Sequence, residues 1–209
     1  MKDYSLDQIQ LRVKKVWLQD FYHFCATELS ETSCEVMKDL LNFESDSRTI
    51  QIIANSLNFR DLRDARGRET YRTKFICNVG YLYPERFEKL KAVTDAKSLK
   101  EALDLTVYDR LLAEVNLQQD DNRHDAVSED VKLDDVMLAE ASRKYSMAFE
   151  NGFHFGVFYA YLRLKELEIK NVTWLSDLVS MNLSKNSPGW NKYSVPFMYH
   201  LNAQGQYER

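Results

Sequence analysis

The sequence predicts an all-α protein of pseudo-repeated helical bundles, and three observations carry that prediction. Glycine and proline are scarce, six and three in 209 residues, which disfavours a turn-rich β sandwich. Apolar residues recur at three- and four-residue intervals behind recognisable helix starts. Between Val157 and Ser187 there is neither glycine nor proline, and a continuous helix over that stretch would be about 45 Å long.

Taken in order, Ser5-Leu6-Asp7-Gln8 has the form of a capping box. Leu6, Ile9, Val13, Val16, Trp17, Phe21 and Phe24 follow at helical spacing and predict a helix to about Ala26. Thr32-Ser33-Cys34-Glu35 reads as a second capping box, opening a helix striped by Val36, Leu40, Phe43, Ile50, Ile53 and Leu57. Residues 59–75 are dense in charge, with Arg60, Arg63, Arg66, Arg68, Arg72 and Lys74 outnumbering Asp61, Asp64 and Glu69; a basic patch is one reading, and a solvated connection of alternating charge is the favoured one. Pro84 suits the first position of a helix whose face is Phe87, Leu90 and Val93. Ser98-Leu99-Lys100-Glu101 is a third capping-box pattern. Acids then dominate from Glu114 to Asp135, which reads as an exposed loop. The predicted organisation is a first helical unit (1–113), this acidic loop (114–135), a second unit with the long helix (136–198) and a polar tail (199–209).

Composition narrows the function. A net charge of −4 and a pI near 5.6 lack the basic footprint of a nucleic-acid binder. Cys25, Cys34 and Cys77 match no zinc or redox spacing. The start, Met1-Lys2-Asp3-Tyr4-Ser5, reads as neither a secretory signal nor a transit peptide. The longest apolar stretch, Gly152 to Leu162, is 11 residues, where a membrane span needs about 20. Membrane association is therefore expected through a partner, without direct insertion.

Catalytic constellations are not evident. Glu150 and His154 are four apart, but a zinc hydrolase needs two histidines at that spacing, and a di-iron bundle needs Glu-x-x-His twice. No metal or cofactor is expected. His154 within its aromatic run reads as a buried, hydrogen-bonded side chain, and the neighbouring Phe153, Phe155, Phe158 and Tyr159 as the core of a helix buried on every side. The six glycines are scattered and form no phosphate-binding loop.

One pattern occurs twice, offset by 122 residues. Glu44, Asp46 and Arg48 align with Glu166, Glu168 and Lys170, and the flanking apolar positions align without a gap, Leu40 with Leu162 and Ile50 with Val172. An exposed acid–base pair four apart contributes only about 0.2–0.5 kcal/mol. That is too little to explain the repetition, so both charged sets are expected to form ion pairs between neighbouring helices, and Arg48→Ala to lower the melting temperature.

The run Gly152-Phe153-His154-Phe155-Gly156-Val157-Phe158-Tyr159-Ala160-Tyr161, continuing into Arg163-Leu164-Lys165-Glu166 and Asn171-Val172-Thr173-Trp174-Leu175, resembles subunit d of vacuolar-type ATPases, a family with counterparts in the archaeal A-type ATPases. Asp20-Phe21-Tyr22-His23-Phe24-Cys25, Phe43-Glu44-Ser45-Asp46-Ser47-Arg48, Gly80-Tyr81-Leu82-Tyr83-Pro84-Glu85 and Asn191-Lys192-Tyr193-Ser194-Val195-Pro196-Phe197 match in the same order. The resemblance implies a funnel-shaped protein of three related helical units, seated on the cytosolic end of the membrane rotor ring and receiving the central stalk. A protein in that position couples ATP hydrolysis to proton transport at vacuolar, endosomal or other acidifying membranes. It binds no nucleotide and is not an enzyme. Two departures stand out. The family's first unit has no counterpart before Met1, so two units of three are expected, and its glycine-rich loop is missing from the acidic stretch. The alternative is a shortened paralogue acting as a static accessory or interaction subunit of another complex.

Overall fold

The computed structural model describes residues 5–57, 65–113, 115, 133–150 and 152–181. Residues 59–64 of the charge-dense segment, most of the acidic stretch, the expected end of the long helix at 182–187, the segment Tyr193 to Met198 and the tail 199–209 lie outside the described residues. Every regular element among the described residues is a helix. The chain divides into two compact units, Met1–Gln119 and Asp120–Arg209.

The first unit begins with α1, Leu6–Glu28, whose N-cap Ser5 accepts from the Gln8 amide at 3.3 Å. Its packed side is not the stripe that the sequence suggests. Leu18 and Cys25 are buried, whereas Leu6, Ile9, Val13, Val16, Trp17 and Phe24 are exposed. Lys15, on the packed side, donates to the Thr73 and Lys74 carbonyls at 3.3 and 3.1 Å. A cation there satisfies the last carbonyls of α3, Ala65–Phe75.

After Leu29 and Ser30 the chain enters α2, Glu31–Leu57. The Cys34 amide bonds to the Ser30 carbonyl at 2.8 Å, so the helix starts ahead of the Thr32 cap that the sequence suggests. Phe43, Glu44, Ser45 and Asp46 are buried in succession. Four consecutive residues sweep most of the way round a helix, so α2 is the enclosed axis of the unit. Helices α1, α3 and α5 pack against it, with Leu40, Leu41, Ile50 and Ile53 at its contacts.

The charge-dense segment is a correction. Its described part is the helix α3, and Arg72 within it is 1% exposed, not solvated. The expected start at Pro84 is a second correction. Pro84 follows a cis peptide bond in a turn, and α4 runs from Phe87 to Ala92. The third concerns Ser98. It is the third residue of α5, Ala96–Leu103, and the capping box is formed by Asp95, which accepts from the Ser98 amide at 2.7 Å while Ser98 Oγ accepts from the Asp95 amide at 3.0 Å. Asp caps as readily as Ser, so one motif admitted two registers. A short α6, Asp109–Leu112, is the last helix of the unit among the described residues.

The second unit contains α7, Leu133–Met147, and α8, Gly156–Ser180. Met137, Ser142 and Tyr145 of α7 are buried, as are Gly156, Ala160, Leu167 and Leu178 of α8. Tyr145 meets Tyr159 edge-on at 6.4 Å between ring centroids. Gly152, between the two helices, has φ +87°, and a Cβ there would meet nothing within 4 Å. Only its backbone requires glycine, so Gly152→Ala is expected to cost about 1–2 kcal/mol in a denaturant titration.

Candidate functional site

The charged pattern on α2 sits where the segment after α3 crosses the helix. Asp46 is 1% exposed. Its Oδ2 accepts from the Tyr81 amide at 2.9 Å and the Tyr108 hydroxyl at 2.9 Å, and its Oδ1 from the Leu82 amide at 3.3 Å. Ser45 Oγ donates to the Val79 carbonyl at 2.5 Å, and the Tyr81 hydroxyl donates to Asp39. Three side chains of α2 thus hold residues 79–82 through backbone and phenol groups. Burial pushes the Asp46 carboxyl up to about 6, although the Tyr108 hydroxyl and the Leu82 and Tyr81 amides oppose the shift. Burial, with Asp46 beside it, also raises the Tyr108 phenol.

The turn depends on Gly80. Its φ is +124°, and a Cβ there would lie 2.1 Å from Asp46 Oδ1. The backbone must approach the carboxylate this closely for two successive amides to reach it.

At and beside the two charged sets, ion pairs run along the helix that carries them. Arg48 reaches Glu44 at 2.5 Å, Arg163 reaches Glu166 at 2.7 Å, and Lys165 reaches Glu168 at 2.6 Å. The two copies also differ in surroundings. Glu44 and Asp46 are buried, Glu166 and Lys170 are exposed, and Glu168 is partly exposed. The reason is packing: α2 is enclosed, whereas α8 has α7 as its neighbour within its unit. Arg48→Ala removes a pair at the edge of the core, so a modest loss of about 0.5–1 kcal/mol is expected in a thermal melt.

The aromatic run is likewise corrected. Phe153, Phe155 and Phe158 are exposed, Tyr159 is partly buried, and His154 is buried with Nε2 2.9 Å from the Ala148 carbonyl near the end of α7. Among the described residues the helix that packs on α8 is α7, and one neighbour covers one stripe of a helix. On α8 that stripe is Gly156, Ala160, Leu167 and Leu178. A second stripe, Phe155, Phe158, Leu162, Ile169, Val172 and Val179, recurs at three- and four-residue steps or their sum, and each of its side chains is more than 60% exposed. Helix α1 repeats the arrangement, with an open apolar groove along Ile9, Arg12, Val13, Val16 and Trp17. Exposed apolar seams of this length are candidate contact surfaces.

Sequence reasoning missed Arg72, Gly80 and Tyr108. Arg72 donates to Ser56 Oγ at 3.0 Å and to the Lys91 and Val93 carbonyls at 2.8 and 2.5 Å. Burial lowers its guanidinium to about 10, with Arg68 adding repulsion. Nothing in a run of mixed charge separates such a residue from its solvated neighbours. Among the described residues no group of three histidines, cysteines or acids is placed to hold a metal ion, and no helix is long and apolar enough to cross a membrane.

These features define an all-helical scaffold whose buried polar groups fasten its own segments and whose long helices present open apolar seams. The chain belongs to the family of ATP synthase (C/AC39) subunits, whose model matches residues 2–189. It is 32% identical over 183 residues to a probable V-type proton ATPase subunit d of Oryza sativa subsp. japonica, covering 87% of this chain and 47% of the relative. The V-type proton ATPase subunit d of Dictyostelium discoideum is 29% identical over 186 residues, 88% of this chain and 48% of the relative. That of Saccharomyces cerevisiae is 27% identical over 182 residues, 87% and 47%. The chain thus spans about half the length of the curated relatives it matches.

Proposed function

We propose that this chain is a non-catalytic coupling component of a V-type proton ATPase. It holds the central stalk to the membrane rotor ring on the cytosolic face of an acidifying membrane. The observation that carries the reading is the family match along residues 2–189, together with relatives named as subunit d of that ATPase. The physical properties agree with it. Torque transmission needs stiff elements, and close-packed helices with an enclosed axis such as α2 resist deformation. Partner binding needs open surface, which the seams on α1 and α8 provide.

Copurification from membranes with the tagged chain tests the proposal. Rotor-ring and central-stalk subunits are expected in the eluate, and recovery of an unrelated complex in their place overturns it. The double substitution Phe158→Asp and Ile169→Asp on the open seam is expected to reduce recovery at least tenfold, on the scale of two lost interface anchors. Both side chains are exposed, so the melting temperature should stay within a few degrees of the unsubstituted chain.

A further inference from the structure

The hold of α2 on residues 79–82 is built around a carboxylate with no cation against it among the described residues. Asp46 faces the Tyr81 amide and the Leu82 amide from the turn, and the Tyr108 phenol from the segment before α6. Asp39, two turns earlier on α2, adds a second carboxylate, bound to the Tyr81 hydroxyl. Glu44 and Arg48 pair with each other, and Cys77 enters the cluster as a buried thiol raised by that burial. Helix α5, packed on α2, contributes buried Leu99, Ala102 and Leu103. All three groups that bond to Asp46 are neutral, and burial of an ion is compensated only in part by neutral donors.

From this geometry we infer that Asp46 and the turn at Gly80–Tyr83 form a proton-operated latch, in which the turn grips α2 more tightly when Asp46 carries a proton than when it is ionised. The two amide hydrogen bonds survive protonation, while the Tyr108 bond reverses and its phenol proton gives up the carboxylate. The Tyr108 hydroxyl rotates to accept the new Asp46 proton, and the two carboxyl oxygens still accept from the two amides. Against the reversed Tyr108 bond stands the larger cost of keeping a bare charge out of water. Opening of the turn returns the carboxylate to solvent, so opening releases a proton. The latch controls surface as well as core, since Tyr81 and Tyr83 on the turn are both exposed.

The direction of the pH effect follows from linkage. The carboxyl is raised from 3.8 to about 6 in the closed state. The stabilisation from protonation is therefore fully present below the open-state value and is lost as pH rises through about 6. Between pH 5 and pH 7 this predicts about a tenfold rise in the opening equilibrium.

Amide hydrogen exchange of the full chain, corrected for intrinsic rates, tests this at Tyr81 and Leu82. Roughly tenfold greater protection is expected at pH 5 than at pH 7, with Asp46→Asn abolishing the difference. Equal protection at the two pH values, or an unchanged difference in Asp46→Asn, overturns the latch. Should Asp46→Asn not fold, the carboxyl-carbon resonance of Asp46 in the unsubstituted chain decides. Titration near pH 6 supports the latch, and titration below about 4.5 overturns it.

Discussion

Arg72→Ala should lower the stability of the first unit by about 3–5 kcal/mol, the scale of losing two or three buried hydrogen bonds from a charged donor. The guanidinium joins three elements: α3, on which it lies, Ser56 near the end of α2, and the Lys91 and Val93 carbonyls at the end of α4. Truncation leaves those two carbonyls without the donor that satisfies them. An unsatisfied buried acceptor costs about 1–3 kcal/mol, and a cavity the size of an arginine adds to that. The side chain stays charged at neutral pH despite its burial, because its lowered value is still about 10. Arg72→Lys should recover little, since a single ammonium cannot reproduce a planar fork aimed at three acceptors. Urea denaturation reads the effect directly, and the thermal midpoint should fall by roughly 10 °C or more. A loss under about 1 kcal/mol would show that water replaces the guanidinium without cost.

Gly80→Ala should be nearly as damaging, at about 3 kcal/mol, for a different reason. The φ of +124° is outside the range L residues adopt comfortably, which by itself costs about 1–2 kcal/mol. The added methyl would also fall 2.1 Å from Asp46 Oδ1 and 2.9 Å from Cγ. Asp46 is enclosed and cannot swing aside without breaking its bonds to Tyr81, Leu82 and Tyr108. Because Gly80→Ala and Asp46→Asn act on one contact, their combined loss should be less than the sum of the two. Additive losses in the same denaturant titration would show that Gly80 matters through its backbone alone.

The two cases show where reading the chain in one dimension stops. Helices α1, α2 and α8 were legible from spacing, since apolar residues at three- and four-residue steps have few other solutions. Ser5 was legible as a cap because the contact it makes is local. The roles of Arg72 and Asp46 were not. Each depends on groups from other segments, 16–21 residues away for Arg72 and 35–62 for Asp46. Local charge patterns look the same whether or not those groups arrive. Helix α8 makes the same point in reverse. Its apolar content announced burial on every side, yet Phe155 and Phe158 are exposed, because periodicity counts apolar faces and does not count the neighbours available to cover them.

From the sequence alone came the all-helical class, the doubled charge pattern and the family, because each is written in residue order and short-range spacing. Tertiary structure alone decided which copy of the pattern is buried, which arginine is structural, and which helix faces stay open. Burial is set by what packs alongside, and the free energy of a charge changes by several kcal/mol between water and an enclosed site. Matching residues on α2 and α8 therefore do different work.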